Sequence, residues 1–308
     1  MVKHTLITKQ GRLWLGLSLW VLILVACGTP PTNEAIGTRW TLRQSGTTYH
    51  LFSVTFGNGK YVSVGANGTI LTSADAITWS NASSGTTALL RGVIFANNRF
   101  VAVGGGGTIL TSPNGTSWSA KASGTTKELL GVTYGNGQYV AVGREGTILT
   151  SSDGSTWTSQ TSGTPNDLEG VLFANNRFIA VGSSGTILVS QDGTRWSQVA
   201  TNVSPPLESI AWGNNRWLVA GGGGVLLTSS DGTSWTPLNS GTTKYLTSVT
   251  FGANLFVVVG EDGTILTSRD GSSISSQTSG VSVWLEGVTF ANGQFVVVGR
   301  GGVVLTSP

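Results

Sequence analysis

A 39-residue repeat constrains the fold of this chain more than any other feature of its sequence. The segment from Val132 to Trp157 recurs along the chain, and its leading residue returns at intervals of 39 residues. A fixed period of this length is typical of solenoids and propellers. The leading valine or isoleucine occupies seven positions: Val54, Val93, Val132, Val171, Ile210, Val249 and Val288.

Each unit contains four short runs of β-branched and aromatic residues. In the third unit these are GVTY, QYVAV, TILTS and the segment that carries Trp157, with turns at Asn136-Gly137 and Asp153-Gly154. Such turns between such runs are typical of tight β-hairpins. One four-stranded antiparallel sheet in about 40 residues is the pattern of a propeller blade. A helical solenoid would need a 3.6-residue apolar period, which this sequence lacks.

The ends of the repeat predict that the propeller closes into a ring. Counting back 39 residues from the fourth-strand Trp79 gives Trp40, upstream of any first strand, while the chain ends at Pro308 after the third strand of its last unit. We therefore expect the segment at 39–44 to supply the outermost strand of the blade that begins with Val288. Closure pairs sheet edges that an open array would expose. The predicted fold is an all-β, seven-bladed β-propeller with four antiparallel strands per blade.

The N-terminal segment predicts export and lipidation. Three basic residues precede an apolar run of 14 residues that ends at Ala26, and roughly 20 residues are needed to span a membrane. The sequence LVAC at 24–27 resembles a bacterial lipobox, in which the cysteine is lipidated and becomes the N-terminus. A secretory signal with a chance cysteine is the alternative. Cys27 is the only cysteine, and lipidation explains a lone thiol in an exported protein.

The predicted organisation is a signal peptide over residues 1–26, lipidated Cys27 with a short tether over 27–37, and a propeller over 38–308. The expected location is the extracytoplasmic side of the cell envelope, anchored by lipid. Gly28 after the cysteine favours the outer membrane if the host has one.

The charge balance argues against nucleic-acid binding. The chain has 17 Lys and Arg against 14 Asp and Glu, but three of the basic residues lie in the first 26 residues. The remaining chain therefore has 14 of each sign. Without a basic footprint, binding to a phosphate backbone loses its main driving force.

The repeat resembles known propeller families. The hairpins SSDGSTW, SQDGTRW and SSDGTSW at 151–157, 190–196 and 229–235 resemble the Asp-box (BNR-like) repeats of sialidase-like propellers, with one residue fewer between Asp and Gly. The wider unit, over residues 38–308, resembles the photosystem II assembly-factor-like repeats of bacteria. That resemblance implies a seven-bladed propeller and a lipoprotein that helps to assemble a membrane complex.

The mature chain offers few residues for catalysis. His50 is its one histidine, and its one cysteine, Cys27, is the predicted lipid anchor, so neither a His/Cys metal cluster nor a Cys–His nucleophile pair can be built. The sequence indicates no convergence of the three arginines, Tyr–Glu pair and acid of a sialidase-like site. Glu169, Glu208 and Glu286 share one aligned position, which leaves a glycosidase carboxylate pair open; we interpret them as solvated rim charges. We expect no catalytic site, metal or cofactor.

The repeats differ at the position four residues before each leading residue. Ring closure makes units six, seven and one neighbours, so Tyr245, Trp284 and His50 are predicted to form an aromatic arc on one face of the disc. Clustered aromatic residues beside an arginine are typical of binding hot spots. The neighbours expected around this arc are Tyr49, Lys244, Arg300, Glu261 and Asp262. An acidic arc of Glu128 and Asp167 is expected across the ring.

These patterns predict a membrane-anchored binding or scaffold propeller on the extracytoplasmic side, and the resemblance implies an assembly factor for a membrane or envelope complex. The expected partner is a protein or peptide segment, bound by a monomer. A carbohydrate-binding propeller is the first alternative, and a sialidase-like glycoside hydrolase is the second.

Overall fold

The computed structural model describes residues 36–308, which form seven four-stranded antiparallel sheets. This confirms the predicted seven-bladed propeller. Cys27 and the signal segment lie outside the described residues. Within residues 36–308, no helix is long and apolar enough to cross a membrane.

Each blade is a simple antiparallel sheet whose strands follow chain order, except that the last blade recruits the first strand of the chain. Blade 1 contains β2 (Leu51–Gly57), β3 (Lys60–Gly65), β4 (Ile70–Ser73) and β5 (Ser80–Ala82). Blade 2 contains β6 (Leu90–Ala96), β7 (Arg99–Gly104), β8 (Thr108–Ser112) and β9 (Ser119–Lys121). Blade 3 contains β10 (Leu129–Gly135), β11 (Gln138–Gly143), β12 (Ile148–Ser151) and β13 (Thr158–Gln160). Blade 4 contains β14 (Leu168–Ala174), β15 (Arg177–Gly182), β16 (Thr186–Ser190) and β17 (Ser197–Val199).

The remaining blades follow the same plan. Blade 5 contains β18 (Leu207–Gly213), β19 (Arg216–Gly221), β20 (Leu226–Ser229) and β21 (Thr236–Leu238). Blade 6 contains β22 (Leu246–Gly252), β23 (Leu255–Gly260), β24 (Ile265–Ser268) and β25 (Ser275–Gln277). Blade 7 contains β26 (Leu285–Ala291), β27 (Gln294–Gly299), β28 (Val303–Ser307) and β1 (Thr41–Gln44). Short 3-10 turns join the second and third strands at Ala66–Gly68, Gly105–Gly107, Arg144–Gly146, Ser183–Gly185, Gly222–Gly224, Glu261–Gly263 and Arg300–Gly302.

The two ends of the chain close the ring within blade 7. Strand β1 pairs antiparallel with β28, with Thr41 opposite Thr306. The backbone N–H of Gly37 donates a hydrogen bond of 2.8 Å to Ser307 Oγ. This contact reproduces, across the chain ends, the bond from Gly154 N to Ser151 Oγ in blade 3. The predicted closure by the N-terminal segment is therefore confirmed.

The aspartate of the repeated hairpin organises the turn between the third and fourth strands. Asp153 Oδ1 accepts hydrogen bonds of 2.8 Å from the backbone N–H groups of Ser155 and Thr156. These bonds to the backbone lower the pKa of Asp153 to about 2, because they favour the ionised carboxylate. Trp157 Nε1 donates to the Gly154 carbonyl oxygen at 3.3 Å, and its ring packs into a cluster shared with blade 2. Both residue types have the structural roles that their regular recurrence suggests.

The first strands of neighbouring blades pack against one another around the ring axis, so they are the innermost strands. We call the segment that precedes each first strand its lead-in connection. In blade 7, Arg300 N in the 3-10 turn donates to the carbonyl oxygen of Trp284 in the lead-in connection at 2.9 Å. The lead-in connections and 3-10 turns therefore share one face of the disc, as expected, and we call this end of the central channel the channel mouth.

Candidate functional site

A cavity of about 660 Å³ opens at the channel mouth and is lined by residues from all seven blades. Every first strand carries a register shift near its start, such as the one between Leu129 and Gly131 in blade 3. A bulge of this kind leaves one residue out of the ladder and re-aims its side chain. The bulged residues form a ring around the cavity: Phe52, Arg91, Leu130, Glu169, Glu208, Thr247 and Glu286.

The predicted aromatic arc contains a true aromatic pair. The rings of Tyr245 and Trp284 lie 5.5 Å apart between centroids, and both side chains are half-buried. Arg300 places its guanidinium carbon 4.2 Å from the centroid of the Trp284 ring. Such a cation–π contact holds a planar cation against an aromatic face. The three residues form one wall of the channel mouth.

His50 is connected to the same wall by a hydrogen bond from the backbone of the Arg300–Gly302 turn. Its Nδ1 accepts a hydrogen bond of 3.0 Å from Gly301 N, beside Arg300. The His50 ring also contacts the edge of Phe52, with centroids 6.5 Å apart. Tyr49 next to it points outward and is 50% exposed. The arc therefore continues to blade 1, although His50 is linked to Trp284 through the Arg300–Gly302 turn.

The polar neighbours predicted for the arc hold the Tyr245 connection in place. Lys244 Nζ lies 3.2 Å from Asp262 Oδ2, and Glu261 Oε2 accepts a bond of 3.0 Å from Tyr245 N. These contacts fix the lead-in connection of blade 6 to the 3-10 turn of the same blade. Their first role is thus to position the aromatic ring.

The predicted acidic arc is paired with two arginines that the sequence analysis did not single out. Glu128 Oε1 lies 2.7 Å from Arg91 Nε, and Asp167 Oδ2 lies 2.7 Å from Arg144 Nη1. Arg144 also approaches Glu169 Oε1 at 3.3 Å. Arg144 Nε also lies 3.6 Å from Glu128 Oε2. Four charges from three adjacent blades therefore form a continuous network beside the cavity, which Glu169 extends.

The interpretation of the three aligned glutamates as solvated rim charges was wrong. The side chain of Glu169 is 16% exposed and that of Glu286 is 14% exposed. Because the bulge turns this position toward the axis, where seven strands converge, these carboxylates lose most of their contact with solvent. Glu286 Oε1 pairs with Arg300 Nε at 2.7 Å, whereas Glu208 accepts a hydrogen bond from the Tyr245 hydroxyl.

Burial shifts the proton affinities of this cluster. Burial first, and then the charge of Glu208, raise the pKa of Glu169 to about 7. Burial also raises the pKa of Glu208. The pKa of Tyr245 lies above its usual value because of burial and the hydrogen bond to Glu208. The channel mouth therefore holds a carboxyl group that titrates near neutral pH.

The channel mouth does bring together the residue types of a sialidase-like site, namely arginines, a Tyr–Glu pair and an acid. Each arginine, however, already contacts a carboxylate of its own at 2.7 Å: Arg91 with Glu128, Arg144 with Asp167, and Arg300 with Glu286. These guanidinium groups are not free to converge on one anion. A comparison of the residues that lie two positions before each leading valine or isoleucine would have revealed the ring of bulged residues in the sequence.

No metal centre is apparent among residues 36–308, since they hold no group of three or more His, Cys, Asp or Glu side chains placed to bind an ion. Glu169, whose pKa is raised to about 7, can exchange a proton with a ligand, whereas the raised pKa of Tyr245 keeps its hydroxyl protonated. The arrangement as a whole offers an aromatic wall and a carboxylate floor, which suits binding of a segment with an apolar and a charged part.

No protein-family model matches this sequence, and no curated protein matches it. Among solved structures, the chain is similar to "YCF48 bound to D1 peptide", with 18% identity, a TM-score of 0.72, and coverage of 91% of this chain and 99% of that one. It is similar to YCF48 from Cyanidioschyzon merolae, with 19% identity, a TM-score of 0.71, and coverage of 87% and 98%.

An enzyme is also among the structures with this fold. Virginiamycin B lyase from Staphylococcus aureus superposes with a TM-score of 0.78 at 11% identity, over 87% of this chain and 99% of the lyase. A peptide-bound protein and a lyase thus share the architecture, so architecture alone does not assign an activity. What these likenesses establish is the fold: this chain is a seven-bladed β-propeller.

Proposed function

We propose that this protein is a lipid-anchored binding propeller on the extracytoplasmic side of the cell envelope. Its channel mouth docks a protein segment, and the protein acts as an assembly or scaffolding factor for a membrane or envelope complex. The observation that carries the proposal is the Tyr245–Trp284 pair with Arg300 stacked on it. Aromatic residues and arginine beside a cavity are the residues that dominate binding energy at protein interfaces.

Two further observations support a protein ligand. A structure with the same fold, that of YCF48, contains a bound D1 peptide, and the repeat resembles the photosystem II assembly-factor-like family. The ion-paired arginines disfavour hydrolysis of an anionic sugar, because each guanidinium is already used by a carboxylate. We therefore propose a binding role without catalysis.

Alanine at His50, Tyr245 and Trp284 together is expected to reduce partner capture by at least about tenfold, since hot-spot residues each contribute about 2 kcal/mol or more. The measurement is affinity capture from native membranes after brief crosslinking, with captured proteins quantified by mass spectrometry. Ile77→Ala is the matched control, because Ile77 is exposed on a hairpin between third and fourth strands. Unfolding midpoints of both variants check that the propeller persists.

Equal capture by the triple variant, the Ile77 control and the unaltered protein would contradict the proposed docking face. If none of them captures a protein, a glycan array tests the carbohydrate alternative, since aromatic pairs also stack on sugar rings. Selective binding to particular sugars on the array would favour that alternative. A protein-binding face is expected to give no sugar preference on such an array.

Cys27→Ala is expected to abolish lipidation and to move the protein from the membrane fraction to the soluble fraction. Two acyl chains anchor a protein stably, because each buried CH₂ contributes about 0.8 kcal/mol. Metabolic labelling with an alkyne-modified fatty acid measures the lipid, and Thr29→Ala is the control at a neighbouring position. Equal labelling of the Cys27 variant and the control would rule out the predicted attachment site.

A further inference from the structure

We infer that the segment docked at the channel mouth is basic, and that one of its arginine or lysine side chains enters the cavity beside Glu169 and Glu208 and packs along Tyr245. This inference rests on the proposed docking function and specifies the chemistry of the partner.

The channel mouth holds more negative than positive charge. Three guanidinium groups line the cavity, those of Arg91, Arg144 and Arg300, and three glutamates line it with them. Glu128 and Asp167 lie beside the cavity and form ion pairs with the same guanidinium groups. Five carboxylates therefore share three cations. A partner that complements this surface carries positive charge.

The carboxylates that lack a close cation are adjacent. Arg91, Arg144 and Arg300 make their shortest ion pairs, each of 2.7 Å, with Glu128, Asp167 and Glu286. That leaves Glu169, whose distance to Arg144 is 3.3 Å, and Glu208. Within the described part of the chain, Glu208 forms no ion pair and its hydrogen-bond donor is the Tyr245 hydroxyl. A positively charged group of the partner would therefore be most stable beside these two carboxylates.

Burial makes this imbalance costly when no cation is bound. A carboxylate that loses water without gaining a cation prefers to take up a proton. Glu169 faces Arg144 and Arg91, which favour its ionised form, and Glu208 and Asp167, which oppose it. Burial and Glu208 dominate, since the pKa of Glu169 is raised to about 7. A bound cation replaces the lost water and restores the ionised form.

The cavity fits a long side chain better than a single ion. Its volume of about 660 Å³ far exceeds the space that one ion occupies, and the described residues offer no cluster placed for metal coordination. The Tyr245–Trp284 wall supplies an apolar surface next to Glu169 and Glu208. The aliphatic stems of lysine and arginine pack on such surfaces while their charged ends meet carboxylates.

The test measures binding of the blocked pentapeptide Gly-Gly-Arg-Gly-Gly, at concentrations up to about 10 mM, by isothermal titration calorimetry and by NMR. The matched probe replaces arginine with citrulline, which keeps the shape and removes the charge. The arginine peptide is expected to bind at least about tenfold more tightly than the citrulline peptide, because the latter brings no positive charge to Glu208 and Glu169. Glu208→Gln is expected to remove most of this preference while retaining an acceptor for the Tyr245 hydroxyl.

Glu145→Gln is the matched control variant. Like Glu208, Glu145 carries a carboxylate on this face of the disc. It lies in a 3-10 turn, however, where its side chain is 68% exposed and pairs with Lys127. Its loss is expected to change the affinity of the arginine peptide less than about twofold, since exposed ion pairs contribute little.

The pH dependence provides a second readout. A cation binds the ionised form of Glu169, so affinity is expected to rise with pH through about 7 and to level off above pH 8. The gain between pH 6 and pH 8 approaches about tenfold when binding requires the ionised form. Binding at pH 7 is also expected to release protons, which appear as a dependence of the measured heat on the ionisation enthalpy of the buffer. Glu169→Gln is expected to reduce both effects, and Glu208, whose pKa burial also raises, accounts for the remainder.

The inference is overturned if the arginine and citrulline peptides bind equally or if neither binds. It is also overturned if Glu208→Gln behaves like Glu145→Gln. In those cases the docking function still stands when membrane capture depends on Tyr245 and Trp284. The reverse result, charge-dependent peptide binding with capture indifferent to both aromatic residues, would contradict the docking function instead.

Discussion

A protein that lacks residues 1–44 is expected to lose the closed propeller, whereas one that lacks only residues 1–35 is expected to keep full stability. The difference between the two truncations is the nine-residue segment 36–44, which contains Gly37, Trp40 and strand β1. Residues 36–44 supply the fourth strand of blade 7 and thus join the first and last blades of the ring.

The size of the effect follows from what this segment covers. Strand β1 pairs with β28 through four residues, and Gly37 bonds to Ser307. Trp40 packs on Phe295 with centroids 6.4 Å apart, in a core cluster that also includes Ile36. Removing a fully buried tryptophan costs about 3–5 kcal/mol. Trp40 is half-buried, so we expect the loss of its packing and of the β1–β28 hydrogen bonds together to reach about 5 kcal/mol. That is comparable to the whole stability of many domains.

Urea unfolding followed by tryptophan fluorescence, together with size-exclusion chromatography, measures the difference. The longer truncation is expected to show aggregation through the exposed edge of β28 or a transition at much lower urea. The shorter truncation is the matched control, since both lack Cys27 and the signal segment. Equal unfolding midpoints would contradict closure by β1.

The fold was predictable because each unit repeats the same hairpin turns and the same pattern of apolar residues. The phase of Trp40, which lies 39 residues before Trp79, pointed to closure, and the pairing of β1 with β28 confirms it. Hairpin turns and alternating apolar residues act locally, so a single unit of sequence contains the information for one blade.

The chemistry of the channel mouth was only partly predictable. The contact between Tyr245 and Trp284 followed from ring order. The burial of Glu169 did not, because it depends on a bulge that turns the side chain toward an axis where all seven blades meet. Loss of solvent at that axis is a property of the assembled ring, and no single repeat contains it. The pairing of Arg144 with Asp167 likewise joins two different blades.

A second pattern in the repeats links two positions in neighbouring blades. The size of the residue that ends the first strand of one blade correlates with the type of aromatic residue in the second strand of the next blade. The last position of the first strand is glycine in four blades and alanine in three. Glycine is followed by phenylalanine at the second position of the next blade's second strand, and alanine by tyrosine or tryptophan. The glycine pairs are Gly57 with Phe100, Gly135 with Phe178, Gly213 with Phe256 and Gly252 with Phe295. The alanine pairs are Ala96 with Tyr139, Ala174 with Trp217 and Ala291 with Tyr61.

The structure gives a physical reason for this coupling. A Cβ atom added to Gly135 would lie 1.9 Å from Cγ of Phe173, in the first strand of the next blade. Where alanine is present, we expect the blades to lie farther apart and to leave room for a larger ring. The hydroxyl of Tyr139 then donates a bond of 2.8 Å to the carbonyl oxygen of Ala96, and Tyr61 does the same to Ala291. Each interface therefore has either the narrow or the wide form.

Gly135→Ala is expected to destabilise the protein by about 2–3 kcal/mol, the upper part of the range for overpacked cores. The added methyl group has no space unless blades 3 and 4 separate, and Phe173 cannot move aside by rotation alone because its Cβ also lies 2.4 Å from the added atom. Urea unfolding measures the change. Gly105→Ala is the matched control, since its added Cβ would meet its nearest neighbour at 3.6 Å.

Phe178→Tyr in the same chain is expected to recover part of that loss, although Phe178→Tyr alone is expected to destabilise. Both changes require the wide form of the interface, so the separation of the blades that one change causes provides the space for the other. The new hydroxyl at position 178 is equivalent in position to the Tyr139 hydroxyl, which bonds to the carbonyl oxygen of Ala96. Coupling between contacting residues is commonly about 0.5–3 kcal/mol. Additive effects in a double-mutant cycle would show that interface width is not the shared variable, and the coupling of ring size to glycine or alanine would then need a different cause.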